Sequence, residues 1–243
     1  MRHLSLRGAL ALLGFATLSL LSGVARAEAG DWLVRARGIA IVTDDSSERI
    51  HLEAGGVSTP LDGSGVGVDT SVVPELDVTY MVTDNIGIEA IAGIAIHDVD
   101  LEGPGPVLSS LGFTDGFKIF DSWVLPPTVT VQYHFMPENN IRPYVGVGVN
   151  YTAFLWNDAT DNLETAVGSP VDVDMDNRFT WAAQIGADVD INDKWYFNVD
   201  VKYIDIDSTA SLLIKNGAFA NTGLRVDVDI NPWVVGAGIG YRF

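Results

Sequence analysis

Residues 72–97 read VVPELDVTYMVTDNIGIEAIAGIAIH. From Glu75 onward, side chains of two kinds alternate. Leu76, Val78, Tyr80 and Val82 fall on one face, and Glu75, Asp77 and Thr79 on the other. A period of two is the mark of a β-strand whose faces meet different surroundings. Thr83-Asp84-Asn85 then supplies turn-forming residues. A second alternating run follows, with Ile86, Ile88, Ala90, Ala92, Ile94 and Ile96 on one face. Together they predict an antiparallel hairpin with a tight turn.

The same pattern extends outward along the chain. Eight alternating segments are predicted, at about 31–43, 72–83, 85–97, 122–135, 141–154, 178–191, 195–207 and 224–243. Short turns join some of them, at 83–85, 136–140 and 192–194. Long connections rich in Gly, Pro, Ser and Asp join the others, at 44–71, 98–121, 155–177 and 208–223. Asp161 followed by Glu164 reads as a capping box for a short helix in the third of these. Short turns on one side and long loops on the other predict an all-β fold, an eight-stranded antiparallel transmembrane β-barrel with periplasmic turns and extracellular loops. A soluble eight-stranded barrel would instead place its polar residues outside. Trp32, Tyr80, Tyr133, Phe135, Trp195, Phe197, Tyr241 and Phe243 fall on the apolar faces near the turn side, where an interfacial aromatic girdle is expected.

Composition agrees with two solvents. The chain has 243 residues, no cysteine and a formal net charge of −18, yet its mean hydropathy is +0.22. The lack of cysteine excludes a disulfide scaffold and a thiol nucleophile. The acidity argues against nucleic acid as a partner. Residues 1–27 read as a secretory signal peptide: a basic start at Arg2, His3 and Arg7, an uncharged run, and Ala25-Arg26-Ala27 as cleavage site. Their removal takes away three arginines and no acid, and leaves 28–243 as the barrel domain.

An eight-stranded barrel is just wide enough to be filled by side chains or to hold one small ligand. Its lumen therefore decides function. The inward parity near the turn side carries Arg35, Arg37, Glu75, Asp77, Glu89, His134, Arg142, Asp200 and Lys202. Mixed charges in a narrow lumen must pair, which predicts a polar plug. Near the loop side the same parity turns apolar, and Asp205, Asp207, Asp227 and Asp229 take the outer face. An apolar funnel above the plug is the reading adopted, with Ile39, Ile41, Ile91, Val124, Phe154, Ile204, Ile206, Val226 and Val228 as its lining. The competing explanation is a β-bulge in each strand that flips the register. Pro74, Pro126 and Pro127 remove ladder donors and mark a candidate gap in the wall.

Signals for chemistry are weak. His97 beside Asp98 and Asp100, and the alternating Asp172, Asp174 and Asp176, are the nearest approaches to a metal site. No serine is placed to be activated by a histidine. The expectation is a protein that is not an enzyme and that needs no cofactor or metal.

Several segments resemble one family. They are Gly30-Asp31-Trp32-Leu33-Val34-Arg35 with Arg37-Gly38, then Leu125-Pro126-Pro127-Thr128, Val131-Gln132-Tyr133-His134-Phe135, Arg142-Pro143-Tyr144-Val145-Gly146-Val147-Gly148, and the ending Gly240-Tyr241-Arg242-Phe243. In this order they resemble the OmpW family of Gram-negative outer-membrane proteins, with its AlkL-like relatives. The resemblance implies a barrel with a hydrophobic channel, passage of small hydrophobic molecules, and lateral exit to lipid. Outer-membrane lipid and lipopolysaccharide are the expected surroundings, and Tyr241 and Phe243 form the aromatic ending that, in outer-membrane barrels in general, the barrel-assembly machinery reads. The alternative is a structural or adhesive barrel with a plugged lumen and acidic interaction loops. An apolar upper lumen would separate the first reading from the second.

Overall fold

The computed structural model describes residues 28–243; the expected signal peptide at 1–27 lies outside the described residues. The strands in chain order are β1 (Trp32–Val42), β2 (Ser46–Ser47), β3 (His51–Ala54), β4 (Val57–Pro60), β5 (Gly65–Val68), β6 (Ser71–Met81), β7 (Ile86–Gly93), β8 (Ala95–Glu102), β9 (Phe117–Leu125), β10 (Thr128–His134), β11 (Ile141–Ala159), β12 (Val171–Met175), β13 (Arg178–Asp190), β14 (Trp195–Ile204), β15 (Asp207–Ile214), β16 (Thr222–Asp229) and β17 (Trp233–Arg242). Helices α1 (Gly105–Ser110) and α2 (Asp161–Val167) sit at loop tips.

Eight of these strands close a ring. The antiparallel order is β1, β6, β7, β10, β11, β13, β14, β17 and back to β1, with Leu33 opposite Arg242 in the closing ladder. Closure removes every open edge, which a hydrocarbon solvent demands. The turns at one end are stapled by side chains: Thr83 Oγ1 accepts from the Ile86 amide at 2.9 Å, and Asn192 Oδ1 from the Trp195 amide at 2.9 Å.

The upper half departs from the expected loops. Residues 95–102 pair with 117–125, 207–214 pair with 222–229, and 171–175 pair with 210–214. β11 runs unbroken for 19 residues. Strand wall therefore extends into three of the four long connections, and the first folds into four short strands. Gly, Ser and Asp suggested loops there. The alternation that makes them strands is nonetheless present: Val99 and Leu101 point inward and Asp98 and Asp100 do not. Helix α2 forms as expected, but its N-cap is Thr160, whose Oγ1 accepts from the Leu163 amide at 3.2 Å. Glu164 instead accepts from the Val171 amide at 3.0 Å.

Two aromatic rows bound the outer surface. The lower row is the predicted one, with ring contacts Trp32–Tyr80, Tyr133–Phe135, Trp195–Tyr241 and Tyr241–Phe243. A second row, not singled out from sequence, comprises Trp123–Trp156, Tyr151–Phe179 and Trp181–Tyr203–Trp233. From Trp195 to Tyr203 the strand rises roughly 27 Å at about 3.4 Å per residue, enough to cross a tilted apolar band. Above the upper row Asp98, Asp121, Asp158 and Asp172 stand on four adjacent strands, each opposite the next in the ladder. Lys118 bridges Asp98 at 3.1 Å and Lys215 meets Asp172 at 2.6 Å.

Inside, close packing is made possible by missing side chains. A Cβ at Gly240 would collide with the Tyr196 ring, and one at Gly186 with the Tyr144 ring. Both tyrosines are fully buried. Gly240→Val should therefore displace Tyr196 and lower stability by about 1–3 kcal/mol, the usual cost of overpacking. Urea unfolding in lipid vesicles, followed by heat-modifiable gel mobility, measures this; an unchanged midpoint would show that the ring moves freely.

Candidate functional site

The lumen has two chemically distinct parts. Its lower part is an ion network centred on Arg35 of β1. The Arg35 guanidinium meets Glu89 at 3.0 Å, Asp77 at 3.2 Å and Asp188 at 3.2 Å, and donates to Thr79 Oγ1 at 2.7 Å. Arg37, two residues on and hence on the same face, reaches Glu75 at 2.7 Å and Asp77 at 2.8 Å. Lys202 of β14 crosses the lumen to Glu75 at 2.9 Å and also meets Asp200 at 3.0 Å. Gln184 donates to Glu89 at 2.7 Å and Tyr144 to Asp200 at 2.9 Å. Tyr144 and Tyr196 lie under Arg35, with its guanidinium carbon 5.4 and 5.7 Å from their ring centres.

All nine residues expected in the plug are buried. Two stand lower than the rest of the network. Arg142 pairs with Asp190 near the turn end, which Arg242 also meets at 3.3 Å. His134 shares a hydrogen bond of 2.9 Å with Gln132 and lies against Tyr144. Tyr144 and Tyr196 were not among the expected plug residues, although their even numbering matches that of Arg142 and Asn198 on the same strands. The network fills this level of the lumen with paired, buried side chains.

Above the plug the lumen is apolar. The inward parity runs unbroken from Gly240 and Val234 through Ile230 to Val228 and Val226, and from Lys202 through Ile204 and Ile206. In these two walls no bulge flips the register. A flip does occur between Met175 and Ala182, at Asp176-Asn177. A lower chamber of about 60 Å³ rests on Glu75 and Lys202. Seven of the nine expected lining residues face it: Ile39, Ile41, Ile91, Val124, Phe154, Ile204 and Ile206. Val226 instead lines an upper chamber of about 400 Å³, among Leu101, Phe117, Leu163 and Leu212. Val228 is buried in the same apolar cluster but lines neither chamber. Val99 and Phe120, opposite each other on β8 and β9, stand where the chambers meet.

The three prolines converge on one sector of wall. β6 and β7 pair up to Glu75 opposite Gly93. The next ladder pair above is Val68 opposite Val99, so no ladder pair joins Ser71–Pro74 to β8. On the other flank the ladder stops at Ile91–Thr128 and resumes at Ala95–Val124. Pro126 and Pro127 occupy that interval. The break between β7 and β8 at Ile94 lies between the two interruptions. Gly93, Val73 and Pro126 all face the lower chamber.

His97, read from sequence only as a weak metal candidate, lines this chamber together with Ser122. His97 Nδ1 lies 3.0 Å from the Asp69 carbonyl oxygen. Since that oxygen can only accept, Nδ1 carries the hydrogen. Burial among apolar side chains favours the neutral ring over the imidazolium. Among the described residues no group of three or more acids and histidines is placed to hold a metal. Asp172, Asp174 and Asp176 lie on the upper segment β12, where Asp172 pairs with Lys215.

The ion network supplies a direct test. Arg35→Met would leave Asp77, Glu89 and Asp188 without their shared cation in a buried site. Removing one partner of such a set costs about 3–5 kcal/mol. A correspondingly lower urea midpoint in vesicles is expected, and wild-type stability would show that the network contributes little.

Comparison with known proteins places this architecture. The profile of the OmpW family matches residues 28–243. Outer membrane protein W of Vibrio cholerae is 36% identical, over 95% of this chain and 97% of that protein. Outer membrane protein AlkL of Ectopseudomonas oleovorans is 25% identical, over 88% of this chain and 83% of that protein. The crystal structure of OprG from Pseudomonas aeruginosa superposes with a TM-score of 0.78 at 32% identity, covering 90% of this chain and 99% of OprG. With the family profile spanning the entire barrel, the chain belongs to the OmpW family and is a β-barrel of the Gram-negative outer membrane.

Proposed function

We propose that the protein is a passive channel for small hydrophobic molecules, with lateral exit to lipid. A solute enters the upper chamber from the loop end. It moves down past Val99 and Phe120 into the lower chamber, among Ile39, Ile91, Phe154, Ile204 and Ile206. The ion network stops it there, because a desolvated set of paired charges offers an apolar molecule nothing and leaves it no room. It leaves sideways near Gly93–Ile94, between the stretches at Pro74 and Pro126–Pro127. The observation that carries this reading is the coincidence of levels: the apolar lumen ends on Glu75 and Lys202, and the ladder lapses at the residue beside Glu75.

No energy source and no enzymatic step enter the proposal. The half-buried Tyr241 and the exposed Phe243 suit recognition by the barrel-assembly machinery. The acidic wall above the upper aromatic row suits a lipopolysaccharide surface. The apolar upper lumen favours transport over a purely structural or adhesive barrel.

Uptake of a medium-chain alkane by cells carrying the protein tests the proposal. Ile204→Asp/Ile206→Asp places two carboxylates in the apolar chamber, where an unpaired charge costs several kcal/mol. With folding verified by heat-modifiable mobility, uptake should fall about tenfold or more. Equal uptake by wild type, variant and empty cells would refute transport. In planar bilayers the plug should hold ionic conductance near the baseline; a sustained open-channel current would contradict a closed lower lumen.

A further inference from the structure

The lower chamber is apolar with a small polar rim, and the hydroxyl and imidazole hydrogens on that rim are already used. His97 donates through Nδ1 to the Asp69 carbonyl at 3.0 Å. Ser122 Oγ donates to Asn157 Oδ1 at 2.7 Å. Thr128 Oγ1 donates to the Pro126 carbonyl at 3.1 Å, and Thr152 Oγ1 to Asn150 Oδ1 at 2.6 Å. A hydroxyl has one hydrogen to give, and a neutral imidazole has one. What these four side chains keep for the chamber is therefore lone pairs. His97 Nε2 has no hydrogen-bond partner among the described residues. It stands on β8 opposite Ser122, with Ala95 and Val99 on either side of it along the inward face. The remaining polar groups of the lining are Glu75, also an acceptor, and Lys202, which is engaged with Glu75 and Asp200.

A rim that presents acceptors at His97 and Ser122 discriminates there by what the solute can donate. We infer that His97 Nε2, with the Ser122 hydroxyl oxygen beside it, is a docking point for the hydroxyl of an apolar chain, so that the preferred solutes are hydroxyl-bearing amphiphiles rather than pure hydrocarbons. This rests on the channel reading above and narrows its substrate class. The hydroxyl donates to Nε2 while the chain lies against Ile91, Val124 and Ile206. A solute bearing only acceptors meets lone pairs and gains nothing at this point. The wall interruption beside Gly93 and Ala95 lies next to the docking point, so an anchored head leaves the tail free to turn toward lipid.

The test uses the full barrel in lipid nanodiscs, with 1-octanol and octane as probes and empty nanodiscs subtracted. Wild type should bind 1-octanol in preference to octane. His97→Leu should reduce that preference about fivefold, the weight of one net neutral hydrogen bond. His97→Gln, which keeps an acceptor near the Nε2 position, should restore part of it. A preference unchanged by His97→Leu would overturn the docking point and leave the channel standing. Binding of neither probe above empty nanodiscs would overturn the channel reading and the docking point with it. If His97→Leu fails to insert, the wild-type imidazole ¹⁵N signal decides: it should shift with 1-octanol and stay with octane, and equal responses would refute the proposal.

Discussion

The Arg35 guanidinium, held among Asp77, Glu89 and Asp188, is the contact on which the rest of this barrel depends. Those carboxylates come from three different strands, so one side chain ties four walls across the lumen. A buried cation of this kind is tolerated only because its neighbours saturate it. Once saturated, it occupies the section of the barrel that would otherwise conduct water. Everything above it is apolar lumen resting on a charged floor, and the proposed sideways exit starts from that floor. The missing ladder pairs around Ile94 are set where the charges stop, with Glu75 belonging to the network and Pro74 to the interruption.

Much of this could be read from the chain, because a closed β-barrel writes its two environments onto alternate residues. Arg35 and Arg37 followed at the same parity by Ile39 and Ile41 already describe a lumen that changes from charged to apolar. The spanning strands and the plug residues were legible for that reason. The upper wall was not. Segments such as 95–102 and 207–214 have water on the outside, so they carry Asp and Ser where membrane strands carry Leu and Val. Local composition then suggests a loop, while pairing with a distant partner makes a strand. Tyr144 and Tyr196 were missed for another reason. Aromatics were read as membrane girdle, whereas the glycines facing these two open room for rings inside.

His97 shows what sequence cannot supply. Its neighbours Asp98 and Asp100 suggest metal chemistry, but alternation sends those acids to the outer wall and the imidazole to the lumen. Only the direction of each hydrogen bond reveals that the chamber rim is made of acceptors. Such directionality depends on partners as far away in sequence as Asp69 and Asn157, and no spacing rule encodes it.

The ladder between β1 and β17 has a consequence for how the molecule comes into being. It joins Leu33 to Arg242, residues at the two extremes of the described chain. Contacts of such long range form late, since the intervening polymer must first be confined. Until Trp233–Arg242 arrives, β1 and β14 both present unpaired backbone along their whole length, and a bilayer cannot hydrate it. Partly built sheets are therefore poor residents of the membrane. Insertion should be cooperative, with the final ten-residue strand acting as the latch that turns an open ribbon into a cylinder.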